Sequence, residues 1–113
     1  MRVIVAGSRS ITDPKVTLAA IAASGFTITE IVCGEAAGPD THGRIWAMER
    51  NVPVASFPAD WTLGLHAGFL RNEEMATHAD ALIAVWDGRS RGTADMIKRA
   101  RIHGLAVYIH DLF

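Results

Sequence analysis

The sequence predicts a single α/β domain built on a parallel sheet, and three observations carry that expectation. Short apolar, often β-branched runs recur along the chain, each run ends in a glycine-bearing or polar turn, and a stretch with helical periodicity follows. Five such runs alternating with four helical stretches call for right-handed crossovers between parallel strands. The expected order is 3-2-1-4-5, a Rossmann-like three-layer sandwich spanning residues 1–113. A flavodoxin-like order, 2-1-3-4-5, is the alternative, and periodicity alone does not separate the two.

Val3 to Ala6 is the first strand and stops at Gly7. Thr12, Asp13 and Pro14 then read as a helix start, with a capping side chain and a proline in the first turn. Leu18, Ile21 and Ala22 form the apolar stripe of that helix, and Gly25 stops it. Thr29 to Cys33 is the second strand. After the Gly34 to Asp40 turn, Asp40 is placed to cap a helix reaching about Asn51. Pro53 to Phe57 is the third strand, and a helix runs from about His66 to His78. Ala81 to Trp86 is apolar nearly throughout, as a strand buried on both faces should be. The turn from Asp87 to Thr93 leads into a helix carrying Met96, Ile97 and Ala100 on one side. Gly104 ends that helix, and Leu105 to His110 is the fifth strand.

Half of the 113 residues are hydrophobic and a fifth are charged, a globular balance with enough apolar material for a core. The formal net charge is -1 and no Lys/Arg run occurs, which argues against duplex nucleic acid as a partner. The single cysteine, Cys33, rules out an internal disulfide and a Cys-x-x-Cys metal site; beside Gly34 it reads as a buried small hydrophobe rather than a nucleophile. The five histidines are scattered, lack acidic partners at ligand spacing, and read as surface or helix-end residues. No metal and no cofactor is expected. No apolar run approaches a membrane span and no cleavage pattern follows the first residues, so the cytoplasm is the expected location.

In open α/β sheets, ligands bind beyond the carboxyl ends of the strands where strand order reverses. For order 3-2-1-4-5 that point lies between strands 1 and 4. The turns there are Gly7-Ser8-Arg9-Ser10 and Asp87 to Thr93, with Gly34, Gly38 and Asp40 alongside. Glycine allows close backbone approach, and each following helix offers free N–H groups at its positive end. Ser8, Ser10, Ser90 and Thr93 supply hydroxyls. Arg9, Arg71, Arg89 and Arg91 supply charged forks suited to phosphate. Glycine turns also serve any doubly wound sheet structurally, but three at one edge point to a phosphate-bearing ligand. Asp40 has two readings, helix cap and ligand contact. Trp61 and Trp86 lie at strand ends near this edge, placed to stack on a base or to pack.

The motifs that carry this pattern are Val-Ala-Gly-Ser-Arg-Ser at 5–10, Cys-Gly-Glu-Ala-Ala-Gly-Pro-Asp at 33–40, Phe-Pro-Ala-Asp-Trp at 57–61, Gly-Phe-Leu-Arg-Asn-Glu-Glu-Met at 68–75 and Trp-Asp-Gly-Arg-Ser-Arg-Gly-Thr at 86–93. In that order they resemble the YspA/YpsA-related branch of the SLOG superfamily, small bacterial and phage proteins. The superfamily also holds the lonely-guy phosphoribohydrolases and the DNA-processing protein DprA. The resemblance implies a Rossmann-like fold and a pocket for a nucleotide or nucleotide-derived ligand. It implies that Gly7, Ser8 and Arg9 form the first ligand turn, and that Gly34, Gly38 and Asp40 form the second glycine motif. It also implies that Arg71 and Asn72 form an Arg-Asn pair, and that Asp87, Gly88, Ser90, Gly92 and Thr93 form the last loop. Two departures stand out. Glu35 occupies a position that is usually glycine, where a carboxylate would repel a phosphate or bind a ribose hydroxyl. Met96 stands where the lonely-guy motif places its catalytic glutamate.

Three functions follow. The first is a binding or sensor module for a nucleotide-derived phosphate. The second is an N-glycosidic hydrolase of nucleoside monophosphates, with Glu35, Asp40 or Asp95 as candidate carboxylates. The third is a DNA-processing accessory protein. Whether any reaction is catalysed stays open. Trp46, Met48, Phe69 and Met75 on the helices lead to the expectation of a homodimer or larger assembly.

Overall fold

The computed structural model describes residues 1–64 and 66–112. Five strands form one parallel sheet in the order β3-β2-β1-β4-β5. The strands are β1 (Arg2–Gly7), β2 (Glu30–Cys33), β3 (Val54–Ser56), β4 (Ala81–Trp86) and β5 (Ala106–Asp111). The helices are α1 (Pro14–Ser24), α2 (Pro39–Glu49), α3 (Ala67–His78) and α4 (Arg91–Ile102). A single 3-10 turn, Trp61–Leu63, precedes α3.

Strand side chains alternate between the two faces of the sheet, and the core divides accordingly. Val3, Val5, Ile31, Ile83 and Val85 point to a cluster that includes Ala20 and Ile21 of α1 and Ala47 of α2. Ile4, Val32, Leu82 and Ala84 point to the other face, against Met75 and Ala76 of α3 and Met96, Ile97 and Ala100 of α4. Two helices therefore cover each face, which makes three layers, and the observed strand order excludes the 2-1-3-4-5 alternative. The chain moves outward from β1 through β2 to β3, then crosses under β1 to β4. That crossing places the reversal of strand order between β1 and β4, paired from Val3↔Ala81 to Gly7↔Val85.

Local signals explain most boundaries. Asp13 caps α1 by accepting from the Lys15 N–H at 2.9 Å, Pro14 occupies its first turn, and Gly25 ends it at φ 71°. Ser90 caps α4, its hydroxyl accepting from Thr93 N at 3.3 Å. α2 differs from expectation. Its cap position is Gly38, and Asp40 lies inside the first turn with its carboxylate accepting from the N–H groups of Gly34 and Ala36 in the preceding loop. The helix also stops at Glu49, short of Asn51. His42, in the first turn of α2, is half-buried and pairs its Nδ1 with the buried Thr17 hydroxyl of α1 at 2.8 Å.

Candidate functional site

The cleft at the switch point grows out of three polar turns. Ser8, directly after β1, is 1% exposed. Its N–H donates to the Val85 carbonyl at 3.1 Å, and its hydroxyl accepts from the Asp87 N–H at 3.1 Å. Ser8 thus ties the end of β1 to the end of β4. Asp87 then shapes the turn before α4: one carboxylate oxygen accepts from the N–H groups of Arg89 (2.8 Å) and Ser90 (2.9 Å), and the other from the Ser10 hydroxyl at 3.3 Å. Those backbone donors, Arg89 first and Ser90 second, pull the Asp87 pKa down to about 2. Asp87 is an anion that organises the loop.

Asp40 does the corresponding work after β2. It is 4% exposed, and one oxygen accepts from Gly34 N at 2.9 Å and Ala36 N at 3.5 Å. Burial raises its pKa to about 6, against the opposing pull of those N–H groups and of the Arg71 charge. Arg71, from α3, donates through Nη1 to the Gly34 carbonyl and through Nε to Asn72 Oδ1. A side chain at Gly34 would collide with that guanidinium, so glycine there is a condition of Arg71 lying across the loop. Asn72 is 4% exposed and passes the contact on, its Nδ2 donating to the Gly92 carbonyl (3.2 Å) and to Asp95 (3.0 Å). Asp95 in turn receives Arg99 Nε at 2.8 Å.

These turns enclose a cavity of about 430 Å³, within the range of small-molecule sites. Gly7, Ser8, Arg9, Asp40, Arg71, Asn72, Asp87, Ser90, Gly92 and Thr93 line it, and Met75 and Met96 lie at its apolar side. A second hollow of about 270 Å³ adjoins it, sharing Arg9, Ala36, Trp61 and Arg71 and adding Gly34, Glu35, Pro58 and Ala59. A Cβ built on Gly92 meets nothing within 4 Å, so there is open space beside the first turn of α4.

Other expected positions are not in these walls. Gly38 packs over the Ser8 and Ile11 carbonyls at φ 81°, and Gly88 makes the turn at φ 79°. Their work is backbone geometry. Asp95 is held between Asn72 and Arg99 and lines neither hollow. Arg89 and Arg91 are exposed outside both. Trp86 turns away, its indole donating to Ser90 O at 3.1 Å while its ring lines a groove between α4 and β5. Cys33 is fully buried and burial raises its thiol pKa, the opposite of an activated nucleophile. Among the described residues no His/Cys/Asp/Glu group of metal-site size occurs, and no helix is long and apolar enough to cross a membrane.

Gly68, Phe69 and Ala36 also line the cleft, although in the sequence they carried no ligand role beyond the motifs that contain them. Gly68 and Phe69 are the second and third residues of α3, so two helix N-termini, of α3 and α4, converge on the cavity. The signal available was the polar turn Asp60-Trp61-Thr62, where Asp60 accepts from Thr62 N at 3.2 Å ahead of that helix.

A parallel five-stranded sheet of this order, with a polar cleft at its switch point, defines a Rossmann-like module. The chain belongs to the YspA, cpYpsA-related SLOG family, whose model matches residues 1–64. Its fold is similar to the X-ray structure of DNA processing protein A (DprA) from Streptococcus pneumoniae, with a TM-score of 0.77 at 18% identity. The similarity covers 96% of this chain and 49% of that one, so the chain spans about half the length of DprA. No curated protein sequence matches the chain.

Proposed function

We propose that the cleft binds a nucleotide-derived, phosphate-bearing small molecule, and that the protein acts as a binding or sensor module in the cytoplasm. The observation that carries this reading is the convergence of the α3 and α4 N-termini, Arg9 and Arg71 on one cavity at the switch point. Helix N-termini supply unpaired N–H groups and partial positive charge, and guanidinium forks add charge-assisted hydrogen bonds. Asp40 and Asp87 do not oppose this outright, because backbone N–H groups already engage both. The pair Trp61 and Gly68, with the indole 3.5 Å from a Cβ built on Gly68, provides a flat apolar wall for a base.

Native mass spectrometry of freshly purified protein tests this. A phosphate-bearing compound carried at one copy per chain is expected. Protein that carries none, and takes up none of the four ribonucleoside 5′-monophosphates at millimolar concentration, contradicts the reading.

One observation keeps a second reading in view. Asp40 lines the cavity, and burial raises its pKa to about 6, toward the range where a carboxyl can exchange a proton near neutral pH. The hydrolase position itself is occupied by Met96, 1% exposed, which cannot stabilise oxocarbenium charge. Base release from adenosine monophosphate is therefore expected to be weak or absent. Rapid release, abolished by Asp40→Asn, would make the protein a hydrolase. For the third reading, the similarity to DprA is one of fold, and the charge of -1 argues against a DNA-binding face.

A further inference from the structure

Glu35 is the one charged group in the paired hollows whose placement the phosphate reading leaves unexplained. It follows Gly34, two residues past the end of β2, and stands at φ 62°, a left-handed conformation that a side chain beyond glycine disfavours. A non-glycine residue held there points to a use for its side chain. The side chain is exposed, and among the described residues no hydrogen bond or ion pair engages its carboxylate. The other acidic groups at the site differ, since Asp40, Asp87 and Asp95 each accept from N–H donors of the protein. Nor does Glu35 serve as the salt-bridge partner of Arg71, whose fork is directed to Gly34 and Asn72.

Glu35 shares the 270 Å³ hollow with Arg9, Ala36, Trp61 and Arg71, all four of which also wall the larger cavity. A ligand with its phosphate at the α3 and α4 N-termini would therefore extend toward Glu35 along a wall already shared. What an unengaged carboxylate accepts best is a pair of neighbouring hydroxyl donors. The cis-diol of a ribose offers that pair. A 2′-deoxyribose offers one donor fewer, and a 2′-phosphate offers a repelling dianion.

We infer that Glu35 selects the sugar: its carboxylate accepts from the 2′- and 3′-hydroxyls of a ribonucleotide and discriminates against deoxyribo and 2′-phosphorylated ligands. The inference rests on the phosphate reading above and narrows its ligand to the ribo series.

The test is calorimetric titration of wild type, Glu35→Gly and Glu35→Gln with ribonucleoside 5′-monophosphates, their 2′-deoxy counterparts and adenosine 2′,5′-bisphosphate. Glycine suits φ 62°, so the first variant should fold, and the glutamine variant keeps the side-chain length without the charge. Wild type is expected to prefer ribo over deoxy by ~10-fold or more, the range for a hydrogen bond to a charged group. Glu35→Gly should lose that preference, and both variants should gain affinity for the bisphosphate. Equal binding of ribo and deoxy ligands to wild type overturns the sugar selection while leaving the phosphate site standing. Retained preference in Glu35→Gly overturns the role of this residue. If wild type binds none of the monophosphates, the phosphate reading falls and the inference with it.

Discussion

Asp40 shows how one buried carboxyl sets both loop shape and pH response. Its pKa rises from the ordinary 3.8 to about 6 because burial penalises the anion more than the two N–H groups and Arg71 favour it. The folded state therefore holds the proton more tightly than the unfolded chain. Its contribution is fully present below about pH 3.8 and is lost as pH rises through about 6. Asparagine keeps an accepting oxygen for Gly34 and Ala36 without the charge. Asp40→Asn is expected to flatten the stability profile between pH 4 and 7 and to raise stability at neutral pH by roughly 1–3 kcal/mol. Denaturant melts across that window check it, and a loss of stability at pH 7 would show that the charge is needed. Arg9 gives the complementary prediction for binding. Unlike Arg71, its side chain has no hydrogen bond to the protein among the described residues, so Arg9→Ala should leave the fold intact. It should weaken an anionic ligand by ~1.5–3 kcal/mol in a calorimetric titration, and unchanged affinity would remove Arg9 from the site.

At the scale of elements, α2 lies so close to β1 that Gly43 has no room for a side chain: a Cβ there would stand 2.7 Å from the Val5 Cβ. Both atoms belong to packed, regular elements, so neither swings aside. Gly43→Ala is expected to cost ~1–3 kcal/mol, despite alanine's better helix propensity. A melting temperature equal to wild type would mean that α2 shifts on the sheet. The elements themselves were largely legible in the sequence. Ala81 to Trp86 is a strand at both predicted ends because a run buried on both faces leaves no polar residue to blur its limits. Asp13-Pro14 and Gly25 bound α1 because cap chemistry acts locally. The turns at the strand ends were legible for the same reason, and many of their polar residues do line one cleft. Where the reading stopped short, the deciding contact was distant in sequence or local geometry had two solutions. An aspartate beside a helix start looks alike whether it caps that helix or turns back to Gly34, as Asp40 does. Asp95 could not be separated from a catalytic carboxylate without Arg99 and Asn72 beside it. Trp86 faces the β5 side because its indole finds the Ser90 carbonyl, which no periodicity reveals.

For the whole molecule, the apolar residues left outside the two cores bear on assembly. Met75, one of those expected at a subunit contact, is 1% exposed and belongs to the core instead. Met48 (62%), Leu63 (60%), Trp61 (57%) and Leu70 (50%) remain exposed, and three of these lie on the 3-10 turn and α3 beside the cleft. A homodimer or larger assembly is the expected state, read as a multiple of the 12.2 kDa chain by light scattering at micromolar concentration. A monomer mass would count against it. The central claim is that the cavity between the β1 and β4 turns holds the ligand, and Gly92 allows it to be blocked without disturbing the protein. Gly92 lines the cavity on the first turn of α4, a Cβ there would meet nothing within 4 Å, and leucine also favours the helix. The most direct measurement is a calorimetric titration of wild type and Gly92→Leu with ribonucleoside monophosphates, paired with thermal unfolding of both. Wild type should bind one molecule per chain. The variant should bind at least ~10-fold more weakly and unfold at the same temperature or higher. Equal affinity in a folded Gly92→Leu protein, or no binding to wild type, would contradict the account.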